Sequence, residues 1–323
     1  MAAPPRPTLH VFGSLNMDLV CQAPRLPVPG ETLLGTQFQT VPGGKGANQA
    51  VAAARLGATT TMVGRLGEDD FGQRLMDSLA AAGVNTAGIS LDPEAQTGVA
   101  AIVVDALGNN QIVVVPGANG RVDETDVERL AARFQPGDFL LMQFEVPLPA
   151  VLAAAEAAQA QGVRVMVDPA PARTDLPDHF YGLVDMLTPN QGEASQLAGF
   201  AVEDVPTAAA AAQVLLGRGA NLVVVKLGAD GAVIATPHQT YHQPALGVAV
   251  VDTVAAGDAF NGGLAVALAA AMPLDQASRF ATAVAAHAVT QRGAQSAMPT
   301  RRQVDERLAK TPAPWLQSKP LDL

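Results

Sequence analysis

The run Val251–Gly263, VDTVAAGDAFNGG, holds the residues best suited to moving a phosphoryl group. A turn of small residues, Ala255–Ala256–Gly257, leads into a predicted helix that carries Asp258 in its first turn. The start of a helix offers unpaired backbone N–H groups and the positive end of the helix dipole. Small side chains let an anion reach both. An aspartate beside that anion could accept a proton from a substrate hydroxyl. The same aspartate could equally serve only as a helix cap.

Four more polar clusters stand after predicted strands. Val41–Gln49, VPGGKGANQ, is a Gly-rich turn entering a helix, with Lys45 and Asn48 as its polar groups. It lacks the spacing of a Walker A loop, and no G-x-G-x-x-G follows the first strand, which argues against a dinucleotide site. In Gly13–Asp18, GSLNMD, Asn16 and Asp18 alternate on one side of an extended segment and can face one ligand. A sugar hydroxyl both donates and accepts, so such a pair suits it. Glu145 follows DFLLMQF, and Asn190 with Glu193 follows LVDMLTP. Singly, these read as a tight connection, an ordinary turn, a surface acid and a helix cap. Together they fit the rule that ligands of open α/β sheets bind beyond the carboxyl ends of strands. HExxH, paired CxxC and GxSxG patterns are missing, so zinc and serine hydrolase chemistry has no support.

The elements that must position these residues are legible as alternation. Leu9–Gly13, Thr59–Gly64, Asp138–Gln143, Gly162–Asp168, Leu183–Thr188 and Asn221–Leu227 are short apolar runs that fit strands buried on both faces. Helical spacing covers Gly46–Leu56, Phe71–Ala82, Leu148–Gln161, Thr207–Leu216, Gly257–Ala271 and Gln276–Thr290, with Gly57, Gly83 and Gly162 as expected C-terminal caps. The predicted fold is α/β: a doubly wound, mostly parallel sheet with helices on both faces. Two segments, about 18–42 and 97–115, break the rhythm. The second reads as a hairpin turning at Leu107–Gly108–Asn109–Asn110. They predict a small antiparallel β lid, which could cover a site or pair with a second subunit. One domain over 9–310 is expected, with a flexible tail at 1–8 and a loosely attached C-terminal tail at 311–323 that carries Trp315.

Composition narrows the classes. Of 323 residues, 49% are hydrophobic and 15% charged, which suits a globular enzyme. A net charge of -10 disfavours binding along nucleic acid or an anionic membrane. The lone cysteine, Cys21, cannot form an internal disulfide and is expected to pack. With no signal-peptide pattern and no apolar run near the about 18 residues of a membrane span, a cytoplasmic protein is expected.

The motifs GSLNMDLV, PGETLLG, VPGGKGANQAVAAARLG, VGRLGEDDFG, LTPNQGEA, VDTVAAGDAFNGG and AVTQRGAQ occur in that order. Through them the chain resembles the ribokinase family of carbohydrate and nucleoside kinases, from about Val11 to Val304. GSLNMD, PGET and GGKGAN with Gln49 point within that family to D-ribose as the substrate. The resemblance implies that Asn16, Asp18, Gly44, Lys45, Asn48 and Glu145 bind the sugar. It implies that Asp258 is the base, with Ala255, Ala256 and Gly257 forming the anion hole. Asn190 and Glu193 would act on phosphate and Mg²⁺. Lys226, Gly228, Gly231, Gly257 and Thr282 would line the ATP site, with His287 near the adenine. Asp252, Val254, Ala288, Gln291, Gly293 and Ala297 would hold an activating monovalent cation, usually K⁺. Ala297 departs from the pattern, because a hydroxyl residue is common there. A homodimer through the β lid is also expected. Kinases of fructose, a sugar acid or a nucleoside are the alternatives, with a non-catalytic sugar-binding regulator behind them. Against a nucleoside stands the aromatic content of only 4%, none of it in the sugar motifs.

Overall fold

Side chains of successive strand residues alternate between two apolar layers, and this fixes the architecture. The computed structural model describes residues 7–311 and 319–321. Within it, Phe139 and Leu141 join one buried cluster while their neighbours Leu140 and Met142 join another. The same split occurs between Met166 and Val167, and between Val224 and Val225. A sheet buried on both faces lies between the two layers.

The chain opens with β1 (Leu9–Phe12), β2 (Asn16–Gln22), β3 (Gln37–Gly43), α1 (Lys45–Arg55), β4 (Thr60–Gly67), α2 (Asp70–Ala81) and β5 (Asn85–Asp92). It continues through β6 (Gly98–Val104), β7 (Asn110–Val115), α3 (Glu124–Ala131), β8 (Phe139–Met142), α4 (Leu148–Ala160), β9 (Arg164–Val167), α5 (His179–Leu183), β10 (Met186–Leu187) and α6 (Gln191–Ala198). The last part holds α7 (Val205–Gly217), β11 (Leu222–Lys226), β12 (Ala232–Thr236), β13 (Gln239–Gln243), α8 (Ala256–Ala269), α9 (Leu274–Ala288), α10 (Arg301–Ala309) and β14 (Lys319–Pro320).

The main sheet has 10 strands in the order β14-β13-β12-β11-β10-β9-β8-β1-β4-β5. It is parallel from β5 across to β11, and β12, β13 and β14 add an antiparallel edge. Helices cover both faces, as expected. Lys319 and Pro320 pair with His242 and Tyr241, so this part of the C-terminal tail is held on the sheet rather than loosely attached. Trp315 lies outside the described residues, as does most of the N-terminal tail.

The small sheet has the order β3-β2-β6-β7. Each predicted hairpin is antiparallel within itself, and the two join side by side through parallel pairing of β2 with β6. Every residue of β7 is exposed, including Ile112, Val113, Val114 and Val115. Cys21 was expected to pack, but it stands exposed on β2, because the strand's outer half has no layer above it. Among the described residues, no helix is long and apolar enough to cross a membrane.

Two glycines set the height of α8. A Cβ on Gly262 would meet the Ala52 side chain at 2.6 Å, and one on Gly263 would meet Val284 at 2.9 Å. The missing side chains let α8 settle between α1 and α9, which brings its first turn against the first turn of α1.

Candidate active site

Helix α1 starts at Gly44, whose φ of 89° suits glycine, and an added Cβ would stand 2.7 Å from the Asn16 amide nitrogen. The turn therefore presses the start of α1 onto the loop after β1. That contact gathers one wall of the site. Ser14 donates its hydroxyl to Glu145 at 2.5 Å, and the Lys45 amide donates to the same carboxylate oxygen at 3.2 Å. Asn119 donates to Asn16 Oδ1 at 2.8 Å and exchanges two bonds with the Leu15 backbone. Gly98 leaves room for this pair, since a Cβ there would lie 2.3 Å from Asn16 Oδ1. Asp18 rests against Gly43 across the β2–β3 pairing.

Asp258 is 5% exposed and accepts bonds from Asn48 Nδ2 at 2.9 Å and Gln49 Nε2 at 3.1 Å. Burial raises its pKa to about 6; Lys45 pulls the other way, and Asp168 adds to the rise. Asp18 is pushed to about 7 by burial first, then by the charges of Glu145 and Asp258. Burial works to lower Lys45, but the carboxylates of Asp258, Glu145, Asp168 and Glu193 outweigh it and raise the ammonium above its ordinary value. Asn48 Oδ1 is buried with no partner among the described residues. The result is a crowded carboxylate pocket around one half-buried ammonium, with polar atoms to spare for hydroxyl groups.

On the other side of Asp258 lies a cavity of about 400 Å³. Its walls include Phe260, Thr282, Ala285 and Val289, and its polar end carries Lys226 and Gly257. An apolar slot that ends at a helix N-terminus suits a flat ring bearing a phosphate chain. Ala255 caps α8 at φ 57°, in the left-handed region that a residue with a Cβ rarely adopts. Strain of this kind persists where the surroundings impose it, as at anion cradles. Gly228 and Gly231 line the same cavity, and a Cβ on Gly231 would strike the Gln243 carbonyl at 2.1 Å.

Asn190 and Glu193 form a reciprocal cap on α6. The Glu193 carboxylate takes bonds at 2.7 Å from both the Asn190 amide and its side chain. Burial raises the Glu193 carboxyl, with Asp168 adding to the rise and Lys226 opposing it. No group of three or more His, Cys, Asp or Glu side chains is set to hold a metal among the described residues. Mg²⁺ commonly binds through one or two carboxylates plus substrate phosphates rather than through such a cluster.

Asp252 fastens two loops beside α8. One carboxylate oxygen accepts from the Val254 amide at 3.0 Å and the other from Gly293 at 2.9 Å. Val254 and Gly293 are therefore tied together through Asp252, with Gln291 and Ala297 in the stretch after α9 and Ala288 at the end of that helix. Ser296 donates to the Arg292 carbonyl at 3.1 Å, so it does not replace the hydroxyl missing at Ala297. His287 sits at the rim of a neighbouring groove with Arg307 and Lys310, while Thr282 lines the main cavity.

Four residues of the site were not singled out from the sequence, Ser14, Asn119, Gln143 and Asp168, and Gln49 was marked only as part of the GGKGAN motif. Gln143 donates to Gln49 Oε1 at 2.7 Å, and Gln49 donates to Asp168 at 3.1 Å. Gly13 makes room for the Gln143 carboxamide, because a Cβ there would overlap its oxygen at 2.0 Å. Gln143 and Asp168 follow β8 and β9, so the same strand-end rule pointed at them.

Residues 6–301 match the family described as pfkB family carbohydrate kinase. A ribokinase of Haemophilus influenzae is 42% identical over 301 residues, which span 93% of this chain and 98% of the relative. A deoxyribokinase of Salmonella typhi is 36% identical over the same shares of the two chains. The solved structure of Arabidopsis thaliana ribokinase complexed with ribose and ATP superposes with a TM-score of 0.86 at 32% identity, covering 95% of this chain and 99% of the other.

Proposed function

The chain belongs to the pfkB family of carbohydrate kinases, and on that premise we propose that it transfers the γ-phosphoryl group of ATP to the 5-hydroxyl of D-ribose, yielding D-ribose 5-phosphate. One observation carries the reading. Asp258 is buried at the start of α8, bonded on one side to Asn48 of the carboxylate pocket, with Gly257 of the apolar cavity on the other.

The residues divide the work. Asn16, Asp18, Gly44, Lys45, Asn48 and Glu145 bind the sugar hydroxyls. Asp258 takes the proton from the attacking hydroxyl. With a pKa of about 6 it is ionised at neutral pH yet more basic than an ordinary aspartate. It need not be strong, because a loose transition state transfers the proton late. The amides of Ala255, Ala256 and Gly257 meet the charge on the moving phosphoryl group. Asn190, Lys226, Gly228, Gly231, Gly257 and Thr282 bind ATP. Asn190 and Glu193 would hold Mg²⁺, which when bound neutralises phosphate charge. The loops of Asp252, Val254, Ala288, Gln291, Gly293 and Ala297 would hold K⁺ and so fix the shape of the adjoining anion hole.

The small sheet acts as a lid over the sugar, on a domain spanning 9–310. The protein is read as cytoplasmic, and its exposed apolar strand β7 favours a homodimer that covers this face. A monomer mass by light scattering at micromolar concentration rejects the dimer.

The substrate is tested by coupled ADP release with ATP, Mg²⁺ and K⁺ against ribose, 2-deoxyribose, fructose, adenosine and a sugar acid. Ribose is expected to give the highest kcat/KM, with turnover suppressed when K⁺ is replaced by tetramethylammonium. A higher kcat/KM for 2-deoxyribose moves the chain to the activity named for its Salmonella relative. Turnover of none of the sugars overturns the reading.

A further inference from the structure

Lys226 and Asp168 form a buried ion pair of 2.9 Å at the ends of β11 and β9, with side chains 13% and 5% exposed. The pair is not isolated. Gln49 Nε2 lies 3.1 Å from Asp168 Oδ2 and 3.1 Å from Asp258 Oδ1. A carboxamide has two N–H groups, so Gln49 can serve both carboxylates at once. Its own oxygen is fixed by Gln143 at 2.7 Å. Lys226 also borders the place where phosphate is expected, since a Cβ added to Gly257 would stand 3.4 Å from its ammonium.

We propose that Asp168 is the exchange partner of Lys226, and that Asp168 and Gln49 form a positioning relay from the transferring phosphoryl group to Asp258. In the free enzyme Asp168 parks the ammonium. When the γ-phosphate reaches Gly257, Lys226 turns to it and leaves Asp168 uncompensated. Asp168 then acts on Asp258 through space and through the shared Gln49, and the base gains proton affinity when the phosphoryl group is in place. The groups facing Asp258 are Lys45, Asn48 and Gln49 on α1, Asp18 on β2, and Asp168 after β9. Those facing Asp168 are Lys226, Gln49, Lys45 and Glu193. Among the described residues, Asp168 is therefore the one like charge bonded to both the phosphate-side cation and the donor that orients the base. The inference rests on the kinase reading.

Full-length wild type, Asp168→Asn and Lys226→Met are compared by the pH profile of kcat/KM for ribose and by calorimetric binding of ATP and ADP. Asp168→Asn removes a like charge, so the acid limb is expected to move down by about one pH unit. Lys226→Met leaves Asp168 uncompensated, so its limb moves up. Lys226→Met is also expected to weaken ATP binding at least about tenfold more than ADP binding, consistent with a lost charge-assisted contact. Circular dichroism melts check that each variant is folded. Turnover lost with both limbs unmoved makes the pair merely structural and overturns the relay. Equal weakening of ATP and ADP overturns the exchange. If wild type turns over no sugar, the kinase reading fails, while the ATP-to-ADP contrast still decides the exchange.

Discussion

Asp126 and Asp258 are both buried aspartates, 0% and 5% exposed, yet their surroundings are opposite. Asp126, at the start of α3, accepts from Arg65 Nε at 3.0 Å, Arg129 Nη1 at 2.7 Å, Ser90 Oγ at 3.0 Å and the Asp123 amide at 3.1 Å. Two guanidinium groups thus face this carboxylate, and Arg65 also pairs with Asp92 and Asp123. Among the described residues, Asp258 has only the neutral carboxamides of Asn48 and Gln49 as hydrogen-bond donors, with Lys45 acting across space and Asp168 opposing it. No ion pair within 4 Å joins Lys45 to a carboxylate among the described residues. A buried charge with matched partners holds strands and helices together. A buried charge left with neutral donors and like neighbours keeps its proton affinity and stays available to a substrate. Burial alone marks neither role; the sign and number of the partners do.

The widest separation between these regions comes from removing each charge. Asp258→Asn is expected to keep sugar binding by calorimetry and to lose turnover by about 10²–10⁴-fold, as for a lost general base. Near-normal kcat sinks the assignment. Asp126→Asn is expected to leave kcat within about threefold while costing about 3 kcal/mol of stability in denaturant unfolding, because Arg129 loses its carboxylate and Arg65 keeps only Asp92 and Asp123. If Asp258→Asn destabilises the fold as much as Asp126→Asn does, the two aspartates are alike and the contrast is broken.

The difference was only partly visible in the sequence. The strands read from apolar runs reappear as β1, β4, β8, β9, β10 and β11, because a strand buried on both faces is continuously apolar. α6 and α10 were passed over as elements. Both are short, and α10 is mostly polar, although each opens with a reciprocal cap, Asn190–Glu193 and Thr300–Gln303. β12 and β13 went unread because they pair only with β11, each other and β14, at an edge that no motif marks. The motifs located Asp258, Lys45 and Asn48 by number. They did not show that Asp168 and Gln143 end their strands as members of the same polar network, since a strand's last residue reads equally well as a solvated turn.

Titration sharpens the comparison. The carboxyls of Asp258 and Asp18 sit at about 6 and about 7, both above their ordinary 3.8. The folded state therefore binds these protons more tightly than the unfolded chain does. Stability is favoured below about pH 4 and lost as pH rises through 6 and 7, a change on the order of 1–3 kcal/mol. Turnover moves the other way, because Asp258 must be ionised to take a proton. Thermal melts of the sugar-free protein are expected to fall between pH 5 and 7.5, and Asp258→Asn to show a smaller fall. A wild-type melt that is flat over this range breaks the link between unmatched burial and function.

Asp252 is an intermediate case and yields the smallest expected effect. Its carboxylate is satisfied by the backbone amides of Val254 and Gly293. It ties two loops without a cationic side chain, so a cation between those loops would supply the missing countercharge. Ala297 is 2% exposed in the same loop, and Ser296 has spent its hydroxyl on the Arg292 carbonyl. Ala297→Ser therefore places a buried hydroxyl where a bound cation can use its oxygen. Without the cation that hydroxyl is unsatisfied, at a cost of about 1 kcal/mol. The K⁺ concentration for half-activation is expected to fall about fivefold, which is the same free energy expressed as affinity. The melting temperature in K⁺-free buffer falls slightly and recovers as K⁺ is added. If half-activation does not move while the K⁺-free melt drops, the serine has met the cost of burial without meeting a cation, and any activating ion binds elsewhere.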